Sequence, residues 1–260
     1  MFEPRVALAS LSGAADAAWA RAGADHAGAA FLGGIALDTP TREAARDLVA
    51  RDREEFLPAD PVAFVETQLD ARDGVPSRPG VNVRAASPEP ISEVAAVCAP
   101  HDAIVEINAH CRQPEMCAAG CGQRLLRDPD RLRAFVAAAS DAGAATSVKV
   151  RAEVPGVDLP EVARVVAAAG ADAIHVDAMD SESVIGEVAA AAPSLFVIAN
   201  NGVRGPESVR EYLAYGADAV SVGRPSTDPV IRRRVHHAVE TWDPEEVADA
   251  TRPDSEVDAP

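Results

Sequence analysis

The chain reads as an α/β protein, a single-domain (β/α)8 TIM barrel, on three observations. Eight short runs rich in β-branched residues recur along its 260 residues, and each is followed by an Ala-rich stretch with helical spacing. The runs show little polar alternation, as expected for parallel strands covered on both faces. An internal echo, AGADAIHVDA at 169–178 and YGADAVSVGR at 215–224, repeats one junction: helix end, Gly-Ala-Asp-Ala turn, buried strand. A doubly wound open sheet is the alternative arrangement of the same units.

In chain order, strands are expected at 5–9, 29–33, 81–84, 103–107, 147–150, 173–176, 195–199 and 219–222. Helices are expected at 14–22, 41–55, 90–97, 129–142, 160–169, 183–191, 206–215 and 228–240. Several open on a proline behind a polar or glycine residue, as in Asp128-Pro129 and Gly205-Pro206, because a first-turn proline gives up an N–H that has no helical partner. Two stretches stand outside the pattern. Residues 57–80 form a long second connection with room for a short helix over the barrel rim. From Trp242 the chain is acidic and poor in large apolar residues, so the barrel is assigned to 1–241 and a flexible tail to 242–260.

Composition narrows the class. Hydrophobic residues make up 48% and charged residues 25%, enough for a true core and against disorder of the whole chain. No window approaches the roughly 18 apolar residues of a membrane span, and the N-terminus lacks a basic, apolar leader. The chain therefore reads as soluble and cytoplasmic. Forty-one acidic residues against 24 basic ones give a net charge of −17, and every basic residue but Lys149 is Arg. Acidic excess with near-total loss of Lys reads as surface adaptation to high salt; a polyanionic partner would need a local basic patch.

On such a barrel, reactive groups gather at the strands' C-terminal ends. There the sequence places Ser10 and Ser12, Asn82 and Arg84, Asn108 with His110 and Cys111, Lys149 and Arg151, His175 and Asp177, Asn200 and Asn201, and Gly223-Arg224. Lys149, alone of its kind and inside the apolar run SVKV, is costly to bury without a partner and so marks a site. The glycine-bearing ends IANNGV, with Gly202, and SVGR, with Gly223 and Arg224, fit a phosphate site. Cys111, Cys117 and Cys121 lack a fourth ligand nearby, since Cys98 precedes the fourth strand, so no metal is assigned.

Several motifs together resemble the flavin-dependent tRNA-dihydrouridine synthase family, and within it a short archaeal barrel form with dihydroorotate dehydrogenase-like features. Asn108-Ala-His-Cys111-Arg followed by Gly122-Gln-Arg-Leu-Leu-Arg-Asp-Pro129 fits the family's Asn-x-Gly-Cys-Pro signature and its continuation without insertion or deletion. ALASLSGAAD at 7–16 resembles its first-strand motif, and VKVR, IANNGV and SVGR match its fifth, seventh and eighth strands.

The resemblance implies FMN on the C-terminal face, bound by Ser10, Asn82, Lys149, Arg151, His175, Asp177, Asn200, Gly202, Gly223 and Arg224. A single terminal-phosphate site without a GxGxxG turn favours FMN over FAD. It further implies an oxidoreductase acting on a pyrimidine C5=C6 bond, with NADPH or NADH as donor. Lys149 would stabilise the reduced flavin, Asn108 would face flavin or pyrimidine, and Cys111 would give a proton to C5 as hydride reaches C6.

Four departures accompany it. His110 and Arg112 replace the glycine and proline beside the cysteine, Asp177 stands where the family has a flavin-contacting His, Asn82 replaces a Gln, and the helical tRNA-gripping domain has no counterpart. Substrate candidates are thus a tRNA uridine or a free dihydropyrimidine of the dihydroorotate type. A flavin-free, phosphate-binding lyase or isomerase using Lys149, and a non-enzymatic partner subunit, are the readings from other classes.

Overall fold

The structure, a computed structural model, describes residues 1–244; the remainder of the expected tail, 245–260, lies outside the described residues. Eight parallel strands close into one barrel in chain order. They are β1 (Val6–Leu8), β2 (Ala29–Ala36), β3 (Arg78–Arg84), β4 (Ile104–Asn108), β5 (Ala145–Arg151), β6 (Ala173–Asp177), β7 (Phe196–Asn200) and β8 (Ala219–Val222). β8 returns to β1 with Ala7 opposite Ser221, which closes the ring and excludes the open sheet. β2 runs past its expected end because a register shift between Gly33 and Ile35 lets the strand continue through its glycines.

Ten helices are interleaved among the described residues: α1 (Ala17–Gly23), α2 (Thr39–Val49), α3 (Pro61–Asp70), α4 (Glu89–Cys98), α5 (Pro114–Ala118), α6 (Pro129–Asp141), α7 (Leu159–Ala168), α8 (Val184–Ala191), α9 (Pro206–Ala214) and α10 (Pro229–Glu240). Asp16, Asp38, Asp60, Asp128, Asp158 and Asp228 each accept a hydrogen bond from a first-turn N–H. Part of the acidic surplus thus works as N-caps, worth about 1 kcal/mol apiece.

One expectation is reversed. The helix after β2 was expected at 41–55 and a rim helix within 57–80; instead α3, from the second stretch, packs beside α1 and α4 in the outer ring. α2 ends at Val49 and packs on α5 across the rim, its Ala44, Ala45 and Leu48 clustering with Cys111, Met116 and Cys121. Both stretches have an Asp cap, a proline start and a buried face, so local sequence does not distinguish their places.

The sheet divides the core in two. Outward side chains such as Val83, Ile107, Val148, Ile174 and Val220 meet the helices. Inward, Ala7, Ala29, Phe31, Ile104, Ala173, Ile198 and Ala219 plug the lower half of the barrel. Gly80 makes room for this plug, since a Cβ there would lie 2.5 Å from the Phe31 ring. Above it the inward positions turn polar, and that change places the site.

Candidate active site

At the C-terminal strand ends a cavity of about 280 Å³ opens between β5–β8 and the loop after β1. Ser10 and Leu11 form one wall; Lys149, Asp177 and His110 form the interior; Asn200 to Arg204 and Gly223 to Pro225 form the other wall. Gly202 (φ +65°) and Gly223 leave open space where a Cβ would stand. Their backbone therefore borders the cavity directly, flanked by the side chains of Arg204 and Arg224.

Asp177 organises the interior. Its Oδ2 meets His110 Nε2 at 3.1 Å and its Oδ1 accepts from Asn201 Nδ2 at 2.8 Å. Burial opposes ionisation of this carboxyl, but His110, Asn201 and Lys149 together hold it far below the usual carboxylate range. Burial lowers His110 below the usual imidazole range despite Asp177, and its buried Nδ1 has no protein partner.

Beneath the cavity lies a dry polar layer. Glu106 accepts from Asn82 Nδ2 at 2.8 Å through Oε1, and its Oε2 lies 2.6 Å from His175 Nδ1. The other ring nitrogen of His175 is 2.7 Å from Ser221 Oγ, which accepts from Asn200 Nδ2 at 2.6 Å. Burial works against the Glu106 charge, yet His175, Lys149 and Asn82 bring its carboxyl below the ordinary range. Burial, helped by Lys149, pushes His175 down, so we assign an ionised Glu106 beside a neutral His175. Lys149 is itself lowered by burial, an effect countered by Glu106 and Asp177.

Of the residues singled out from sequence, Ser10, Lys149, Asp177, Asn200, Gly202, Gly223 and Arg224 come together on the cavity wall. Asn82, Asn108 and His175 lie buried below it. The Asn108 amide is committed to structure: Nδ2 donates to Asn82 Oδ1 at 2.9 Å, and Oδ1 accepts from the N–H groups of Cys111 at 2.9 Å and His110 at 3.3 Å. Arg151 is buried at the end of β5, in register with Asp177 and off the cavity wall.

Cys111 also sits off that wall, 8% exposed among Ala36, Leu48, Met116 and Cys121. Cys117 Sγ points to the Cys111 carbonyl at 3.6 Å, and burial pushes the Cys121 thiol up to about 12. Nearby, Arg84 is clamped between Glu55 at 2.6 Å and Ser12 at 2.9 Å, which fastens the loop after β1 to the segment after α2.

Sequence reasoning passed over Glu106 and Ser221. The signal for Glu106 is present: in the strand Ile104–Asn108 it shares a face with Ile104 and Asn108, opposite to Val105 and Ile107, and so points inward. The signal for Ser221 was its place two residues before Gly223.

Fold and cavity define a (β/α)8-barrel protein with a cationic, glycine-bordered cleft at the strands' C-terminal ends. The model of the dihydrouridine synthase (Dus) family matches residues 77–256, and the chain belongs to that family, a group of flavin-dependent oxidoreductases. A relative from Methanocaldococcus jannaschii, the uncharacterized protein MJ0144, is 29% identical over 235 residues, covering 85% of this chain and 89% of the relative.

Among solved structures, DHODH from Eimeria tenella, in complex with ferulenol, superposes with a TM-score of 0.68 at 17% identity, covering 95% of this chain and 82% of that one. A FabK variant from Thermotoga maritima superposes with a TM-score of 0.58, also at 17% identity, covering 87% and 63%. These two likenesses establish the fold. No helix among the described residues is long and apolar enough to cross a membrane.

Proposed function

We propose that the protein is an FMN-dependent oxidoreductase acting on the C5=C6 bond of a pyrimidine, with uridine in tRNA as the first substrate to test and a free pyrimidine as the second. The observation that carries this reading is the convergence, in one cleft of a dihydrouridine synthase family member, of the chain's only lysine with the Gly202 and Gly223 backbone and the Arg224 guanidinium. The open space at both glycines and the cationic rim fit a phosphate monoester, and Lys149 in the interior fits an electron-rich ring.

When bound, FMN supplies two-electron hydride chemistry. The chain's own groups do the rest. Gly202, Gly223 and Arg224 bind the phosphate. Lys149 sets a compact positive charge where negative charge accumulates on reduction. Asn108, through its bonds to the Cys111 and His110 N–H groups, fixes the loop that carries Cys111. Cys111 holds the proton destined for C5. The thiol packs among Ala36, Leu48, Met116 and Cys121, so this role requires it to turn toward the cleft when substrate is bound. NADPH or NADH serves as the reductant.

The test is to load the protein with FMN at high salt, reduce it, and mix it anaerobically with unmodified tRNA, uracil or orotate. Reoxidation with formation of a 5,6-dihydropyrimidine is expected. Failure with all three contradicts the substrate class, and trapping of Lys149 by borohydride with a carbonyl substrate would replace it with Schiff-base chemistry.

A further inference from the structure

Three adjacent strands bring ionisable side chains to one level of the barrel interior. Glu106 comes from β4 and His175 from β6, both with no exposed side-chain surface. Lys149 stands between them on β5, in register with Asn108 on one side and His175 on the other. A carboxylate in such a place gives up its hydration and persists only if hydrogen bonds and an opposite charge replace it. Asn82 and His175 supply the bonds at 2.8 and 2.6 Å.

The bonds continue on both sides. The ring nitrogen of His175 away from Glu106 meets Ser221, and Asn82 receives Asn108, which receives the Cys111 N–H. One hydrogen-bonded path therefore crosses the barrel from the Cys111 loop to β8, and Glu106 is the charged member at its centre. The ionisable groups coupled by charge to Lys149 are Glu106 on β4, His110 in the loop after β4, and His175 and Asp177 on β6.

We propose that Glu106 is a positioning residue: its buried carboxylate fixes His175 as the Nδ1–H tautomer and provides the negative charge that keeps Lys149 an ammonium in the cleft. Buried Lys149 needs opposite charge to stay protonated, and Asp177, itself bound to His110 and Asn201, adds to the charge of Glu106. The inference rests on the FMN reading only for what Lys149 faces.

Because Lys149 is the single lysine, protein grown on [13Cε]lysine gives one lysine side-chain resonance, whose shift reports protonation in the flavin-free full chain. Glu106→Gln is expected to lower its titration midpoint by about one pH unit or more, the scale on which losing an opposite charge shifts a buried group. Glu106→Asp is expected to restore most of it, and Ser147→Ala, beside Glu106 in register, to leave it in place. An unmoved midpoint in folded Glu106→Gln, or a midpoint that follows Asp177→Asn alone, overturns the proposal.

Should Glu106→Gln not fold, 15N spectra of the unsubstituted protein decide. His175, assigned by loss of its signals in His175→Asn, is expected neutral with its proton on Nδ1; a proton on Nε2 alone, or on both nitrogens near neutral pH, overturns it. A protein that binds no flavin yet shows these titrations keeps this inference and loses the function proposed above. A flavoprotein whose Lys149 ignores Glu106 does the reverse.

Discussion

At the residue scale, the proposed chemistry depends on a few groups held in unfavourable surroundings. Lys149→Ala removes the cleft's interior cation, and Lys149→Arg replaces a compact charge by a planar fork that cannot take the same place. Both variants are expected to fold, with flavin reduction slowed roughly 10²-fold or more in the alanine variant, the usual cost of one preorganised charge partner. Wild-type reduction rates in Lys149→Ala would make the residue merely structural. Cys111→Ala is expected to keep FMN and still accept electrons, yet to lose pyrimidine turnover by about 10² to 10⁴. Cys117→Ala is the control, expected to turn over normally; equal losses from both would remove the special role given to Cys111.

Acidity offers a third check. His110 and His175 are both lowered, with burial the main cause in each, so below the unfolded value of about 6.5 the unfolded chain binds protons that the folded chain refuses. Their contribution is fully present above that value and is lost as pH falls from it toward their folded values. Asp177 and Glu106, also lowered, add stability present above about pH 4 and lost below it. Calorimetry should therefore show the unfolding temperature falling between about pH 7.5 and about pH 5, and falling again below about pH 4. A flat profile across the first interval would contradict the neutral burial of the two imidazoles.

At the element scale, each of the eight strands lies within three residues of where apolar runs placed it, because a strand buried on both faces must be apolar almost throughout. Helix identity was less legible. α2 and α3 carry the same local signals, and only the contacts of α2 with the Cys111 loop show which one covers the rim. The polar layer is half legible: Lys149 and His175 stand out in apolar strands, and spacing turns Glu106 and Ser221 inward, whereas their partners on other strands are visible only in the fold. The ends of β7 and β8 give a prediction of their own. A Cβ at Gly223 meets nothing within 4 Å, so the side chain of Gly223→Val would intrude on the cleft, with folding checked by the unfolding temperature. FMN affinity is expected to fall at least tenfold by titration; unchanged affinity would move the phosphate elsewhere.

For the whole molecule, a net charge of −17 disfavours the compact state through self-repulsion, which salt screens. The unfolding temperature should rise steadily from low to molar potassium chloride, and independence of salt would remove the brine reading of the acidic surface. Cofactor work therefore belongs at high salt. If the strand-end glycines, Arg224 and Lys149 hold one FMN in the cleft, as proposed, the identity and amount of flavin released from purified, reconstituted protein will show it. FMN at about one per chain is expected, with flavin absorbance bleached by reductant. Release of FAD, or no flavin retained after reconstitution at high salt, would contradict it.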